Sequence, residues 1–155
     1  MNNGGCLIRR DLFDNGMQHR NEFFVCDDYV FWVDLIGLTK MANIDEVLLK
    51  VRFGEHQMTR RSMTIPIEQN LRRALLGEIH RLCFLKMGMM LSDRTICRYN
   101  TILNTYKKPS EYSKEDIQEI MDIYHEVSDI IEIIHPEYSK GFSDGFRRRF
   151  PYFLI

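Results

Sequence analysis

A run of apolar residues at helical spacing, set between Pro109 and Pro136, constrains the fold of this chain most. Isoleucine, methionine, tyrosine and valine side chains recur there every three or four residues, which is the period of an amphipathic α-helix. Ser113 and Asp116 resemble a capping box at its start, and Pro136 ends it because proline cannot continue a helix. The sequence therefore predicts its longest helix at about residues 113–134.

Two more helices are predicted ahead of this one. Pro66 pushes the residue before it into an extended conformation, and the apolar stripe that follows predicts a long helix that includes residues 74–87. Gly88 then marks a turn. Ser92 is a suitable N-cap for a further helix that extends to about Leu103.

The N-terminal part favours strands. Residues 22–26 and 29–34 are rich in aromatic and β-branched side chains, and the turn signal Asp27-Asp28 separates them. This pattern predicts an antiparallel β-hairpin. Beyond it, apolar residues at three- and four-residue spacing suggest a short helix that ends near Asn43.

Residues 44–53 are compatible with two structures. Val47, Leu48 and Leu49 suit a helix, whereas the stretch from Val51 to Phe53 suits a strand. With either outcome the predicted fold class is α+β. A small N-terminal antiparallel sheet would pack with three or more helices.

The chain has 155 residues, of which 45% are hydrophobic and 28% are charged, as in one globular domain. We expect a single domain over residues 1–155, with a loose N-terminus at residues 1–5 and a flexible or docked tail at residues 139–155. The four cysteines lie far apart without a signal peptide, which predicts an intracellular protein of the cytoplasm or nucleus. The apolar runs are too short to cross a membrane.

The net charge of −1 conceals an alternation along the chain. Residues 50–108 carry a net charge of +8 and residues 109–146 carry −8, and three arginines follow these. Two interpretations are open. The acidic helix packs beside the basic stretch and neutralises it, or a basic face stays free to attract phosphate.

Motifs that resemble catalytic or metal sites have ordinary structural explanations. Residues 141–145 match G-x-S-x-G, but no histidine follows them to complete a triad. His80 and Cys83 lie three residues apart on a helix, a spacing that fits no standard zinc finger and is typical of core packing. We therefore expect no enzyme, no cofactor and no metal site.

The stretch at residues 74–104 resembles a helix-turn-helix. Gly88 would form its turn, and the second helix would present polar and basic side chains to a nucleic-acid groove. A plain helical hairpin remains the alternative. The predicted contacts to DNA or RNA are Arg60, Arg61, Arg72, Arg73, Arg94, Thr95, Arg98, Asn100, Lys107 and Lys108.

Residues 29–53 carry an aromatic run followed by Leu-Thr-Lys-Met-Ala. This stretch resembles the opening of the KilA-N and Bro-N type DNA-binding domains of large DNA viruses and phages. The resemblance implies a viral, regulatory DNA-binding protein with a small α+β fold. It also implies that Lys40, Lys50, Arg52 and the pair Arg60-Arg61 lie near phosphate.

The alternative function is a protein-interaction module. It would bind a host protein, a virion protein or a second copy of the chain through the helix at residues 113–134 and the aromatic and basic tail. The tail could also pack back on the core or lie on an anionic membrane. The predicted partner-binding residues are Phe146, Arg147, Arg148, Arg149, Phe150, Tyr152 and Phe153.

Overall fold

The computed structural model describes residues 5–51, 54, 65–104 and 107–151. These contain six α-helices and no β-strand, with short 3-10 turns at Asn21–Phe23 and Pro109–Glu111. The helices are α1 (Arg10–Asp14), α2 (Asp27–Asp34), α3 (Pro66–Lys86), α4 (Asp93–Asn104), α5 (Lys114–Ile134) and α6 (Pro136–Arg149). The chain divides into two compact units, residues 1–87 and 88–155.

The predicted α+β fold is wrong, because both predicted strands of the hairpin are helical or turn. The stretch at residues 22–26 begins in the 3-10 turn, and residues 29–34 lie within α2. The short helix expected to end near Asn43 is not observed, because α2 ends at Asp34 and residues 35–43 form turns and irregular chain.

Burial explains why helix replaces strand here. Phe23, Cys26, Val30 and Val33 follow one another at three- and four-residue spacing and form one buried cluster with Leu76 and Ile79 of α3. Helical spacing places all four side chains on one side, whereas a strand would send alternate residues to opposite faces. Tertiary packing therefore outweighs the β propensity of the aromatic and β-branched side chains.

Polar and aromatic contacts complete the N-terminal unit. Asp34 is 8% exposed, and its Oδ1 accepts a hydrogen bond of 2.7 Å from Arg20 Nη2 and lies 3.6 Å from Lys86 Nζ. Phe31 is fully buried, and the rings of Phe13 and His19 stack against it with centroids at 5.9 and 4.7 Å. These contacts hold the N-terminal segment on α2.

The long helices after Pro66 and Ser113 are confirmed, as α3 and α5, each of 21 residues. Ser113 Oγ accepts from the Asp116 amide at 3.1 Å, and Asp116 Oδ2 accepts from the Ser113 amide at 2.9 Å. This is the predicted capping box, which satisfies amide groups that a helix start leaves unpaired.

The C-terminal unit is built from α4, α5 and α6. Contacts from Thr95 to Glu126 and from Lys107 to Asp116 show that α4 runs antiparallel to α5. The apolar stripe of α5 is buried. Its members are Ile120, Ile123, Val127 and Ile131.

The tail is docked rather than loose through residue 150. After a break at His135, α6 folds back along α5, where Tyr124 Oη lies 2.9 Å from Ser143 Oγ. Phe142, Phe146 and Phe150 continue this contact as a row of neighbouring rings. The G-x-S-x-G segment at residues 141–145 lies within this helix.

Candidate functional site

The predicted recognition helix exists as α4, and its start is capped as the sequence indicates. Ser92 Oγ accepts a hydrogen bond from the Thr95 amide at 3.1 Å. Thr95 was expected to reach a nucleic-acid groove, but it is 4% exposed and its hydroxyl donates to Glu126 Oε1 at 2.6 Å. The face of α4 that carries Thr95 is therefore turned towards α5.

Arg98 lies on the same face and is held by two carboxylates. Its Nε and Nη2 donate to the two carboxylate oxygens of Glu119 at 2.5 and 2.8 Å, and its Nη1 donates to Glu126 Oε2 at 3.3 Å. The hydrogen bond from Arg98 holds the pKa of Glu119 below its ordinary value, and the same bond raises the pKa of Arg98. Such a bidentate pair occupies the fork that would otherwise read a base edge.

The remaining α4 residues of the prediction differ in availability. Asn100 is half-buried, and its side-chain oxygen and main-chain oxygen each accept a hydrogen bond of 2.8 Å from Asn104 Nδ2. Arg94, in the first turn, is exposed. The base-reading surface expected of α4 is thus reduced to a single exposed arginine.

The predicted phosphate contacts before α4 are also dispersed. Arg72 of α3 donates to the main-chain oxygen of Val25 at 3.2 Å and lies 3.7 Å from Cys26 Sγ, so it braces the core of the N-terminal unit. Its neighbour Arg73 is exposed. The pair Arg60-Arg61 lies outside the described residues.

The aromatic residues proposed for partner capture belong to the core of the C-terminal unit. Phe146 is 4% exposed and Phe150 is 2% exposed. Partner binding through these rings would require α6 to leave α5. Tyr152 and Phe153 lie outside the described residues.

One hydrogen bond joins two groups of basic residues that the sequence placed in separate candidate sites. Arg149 Nη2 donates to the main-chain oxygen of Leu103 at 3.0 Å, which connects the C-terminal end of α6 with the C-terminal end of α4. We call the three arginines that end with Arg149, together with the basic residues up to five positions after Leu103 in the sequence, the basic end. They are Lys107, Lys108, Arg147, Arg148 and Arg149.

The basic end is partly neutralised. Lys107 Nζ forms an ion pair of 2.6 Å with Asp116, whereas Glu111 accepts from the main-chain amide of Lys108 and not from its ammonium group, at 3.0 Å. The side chains of Lys108, Arg147 and Arg148 are exposed. Sequence reasoning missed this junction because α5 separates its two halves in the sequence. One half follows α4 and the other is the last turn of α6, and both are rich in cations.

No family model, curated protein or solved structure matches the chain. The resemblance of residues 29–53 to KilA-N and Bro-N type domains therefore stays a prediction. In the described part of the chain, no helix is long and apolar enough to cross a membrane. The same residues bring together no three His, Cys, Asp or Glu side chains that could hold a metal ion.

Proposed function

We propose that the protein binds nucleic acid through its phosphate groups at the basic end of the C-terminal unit. The observation that carries this proposal is the hydrogen bond from Arg149 to Leu103. It holds Arg149, the last residue of the arginine triplet, beside the end of α4, and Lys107 and Lys108 follow that end in the sequence. Clustered cations of this kind attract a polyanion whatever the net charge of the protein.

The mode of binding follows from which cations are exposed. Arg147 and Arg148 project from the last turn of α6 and are exposed, whereas Arg98 is committed to Glu119 and Glu126. Phosphate contacts position a protein on nucleic acid without reading its sequence. The proposed binding is accordingly independent of base sequence, and α4 does not enter a groove.

The arginine triplet also has a role in folding, which the test must separate from binding. Cations in the last turn of a helix interact favourably with the helix dipole, and Arg147 and Arg148 also lower the pKa of Asp144 after the larger effect of Lys140. Replacing them will weaken α6 slightly. A binding loss counts only when the variant remains folded at the temperature of the measurement.

The test is a salt titration of binding to duplex DNA, single-stranded DNA and RNA by fluorescence anisotropy. The double variant R147Q/R148Q should bind more weakly, and its log–log salt slope on duplex DNA should fall in magnitude by about two, since each phosphate contact contributes roughly 0.9. Circular dichroism checks that the helices remain.

The matched control is R9Q/R10Q. It removes two exposed arginines from the start of the N-terminal unit and changes the net charge equally. Its slope should equal that of the parent. Equal slopes for R147Q/R148Q and the parent, or no binding by the parent at low salt, would contradict the proposed function.

A further inference from the structure

Residues 43–51 of the N-terminal unit lie outside every helix and expose a run of large apolar side chains. Val47 is 94% exposed, an extreme value for a branched aliphatic residue in a folded unit. We call these residues the apolar segment. Its other exposed apolar members are Ile44, Leu48, Leu49 and Val51.

The sequence of the apolar segment nevertheless has the features of a helix. Ile44, Val47, Leu48 and Val51 occupy positions i, i+3, i+4 and i+7, which would place them on one face. Such a stripe serves as a set of anchors when an amphipathic helix lies in a groove.

The ends of the segment carry the matching polar signals. Asn43 followed three residues later by Glu46 is a capping-box pattern. Asp45 and Glu46 would lie in the first turn and Lys50 in the last, which is the order that the helix dipole favours.

The absence of helix in residues 43–51 has a physical explanation. Helices much shorter than about 12 residues are marginal in water, and most helical stability in proteins comes from burying an apolar face. Among the described residues, little apolar surface covers the segment. All five side chains are exposed, and only Leu49, which lies beside Gly5, and Val51 are more than half covered. The described part of the chain therefore supplies no complementary surface for the whole stripe.

We propose that the apolar segment binds an apolar groove of a partner protein and folds into an amphipathic helix as it does so. The partner should carry a basic side chain where the first turn ends, because Asp45 and Glu46 lie beside the apolar stripe there. This inference does not depend on the proposed nucleic-acid binding, which uses the other unit.

The charge of the segment argues against two other occupants. Two acidic side chains against one lysine oppose binding to an anionic membrane, which attracts basic amphipathic helices. Pairing with a second copy of the segment is opposed by length, because residues 43–51 span little more than one heptad and are too short for a coiled coil.

The experiment first identifies the partner by crosslinking and then measures its binding affinity. A photo-crosslinking amino acid replaces Val47 in the full chain, and the crosslinked protein is identified and purified. Binding of the full-length parent to this purified protein is then titrated, and nuclear magnetic resonance chemical shifts report whether residues 43–51 become helical.

The decisive variants are K50P and K50A. Proline at position 50 keeps every apolar side chain but has no amide to donate to the carbonyl of Glu46, with which its ring also clashes. K50P should therefore lose affinity by about a hundredfold while K50A stays within a fewfold of the parent. Neither change touches a helix of the free protein, which circular dichroism will check. Equal binding by K50P and K50A would overturn the helical mode.

Leu48 supplies the test of the stripe. L48D should abolish binding, whereas L7D, at a residue 98% exposed outside the segment, should not. A crosslink from position 47 only to lipid or to a second copy of the chain, or no crosslink, overturns the proposal.

Discussion

Two segments of this chain begin with the same helix signal and end in different structures. Ser113 and Asp116 form a capping box at the start of α5, which continues for 21 residues. Asn43 and Glu46 have the same spacing, yet residues 43–51 are not helical. The apolar stripe of α5 is buried against its neighbours, and that of the apolar segment is exposed. A cap therefore determines where a helix starts, and burial determines whether it forms.

The largest expected change in stability tests whether burial of its apolar stripe makes α5 form. Ile123 of α5 is fully buried, so I123A should lower the free energy of unfolding of the C-terminal unit by about 2–5 kcal/mol. Hydrogen exchange of the α5 amides measures this for that unit alone. The control is I133A, at a residue 81% exposed on the same helix, with an expected change within about 0.5 kcal/mol. Similar losses from both would mean that burial is not what distinguishes α5.

The cap of α5 should matter less than its buried stripe. S113A removes the oxygen that accepts from the Asp116 amide, and the loss of such a cap costs about 1 kcal/mol. Exchange of the first-turn amides of α5 measures the effect. S113D, which restores an acceptor, should recover most of it. A loss as large as that of I123A would reverse the ranking of cap and burial.

Acid should weaken α5 through its pairing with α4. Because Arg98 lowers the pKa of Glu119 from the ordinary 4.5 in the folded protein, the ionised carboxylate stabilises the fold, and this contribution is lost as the pH falls from about 4.5 through the lowered folded value. The side chain of Glu119 is 43% exposed, so the effect should stay below about 1 kcal/mol. E119Q should flatten the pH dependence of stability in this range; an unchanged profile would show that the pair contributes nothing.

The smallest change in stability is expected in residues 43–51, which carry the capping signal but are not helical. N43A removes the capping residue of the apolar segment, and the free energy of unfolding of the free protein should change by less than about 0.5 kcal/mol. Chemical denaturation followed by circular dichroism checks this. A loss near 1 kcal/mol would show that residues 43–51 already depend on a cap.

The sequence predicted the C-terminal unit better than the N-terminal one. In α5, cap, period and terminating Pro136 all agree, so local signals suffice. In residues 22–34 the local signals conflict, because aromatic and β-branched propensity favours strand while Phe23, Cys26, Val30 and Val33 have helical spacing. That spacing could have identified α2. It outweighs the strand propensity only because α3 packs against these residues, and no local sequence pattern shows that packing.

The sequence predicted which stretches supply the charges of the candidate site, but not how those charges are arranged in space. Charge counting found the basic and acidic stretches, and one of the two interpretations left open was mutual neutralisation. The pairing of Arg98 with Glu119 and Glu126 follows that interpretation along α4 and α5. Which cations stay exposed depends on the register of two helices, and the junction of Arg149 with Leu103 depends on the fold-back at His135. Neither is encoded within a short window of sequence.

Trp32 gives the N-terminal unit its own optical reporter. It is the only tryptophan in the chain, and it lies in α2 with its ring edge-on to Phe31 at 5.6 Å. Its emission should shift to longer wavelength when the Phe31 cluster loosens, while far-ultraviolet circular dichroism records helices from both units. A difference between the two midpoints would show that the units melt in separate steps, without cutting the chain between them.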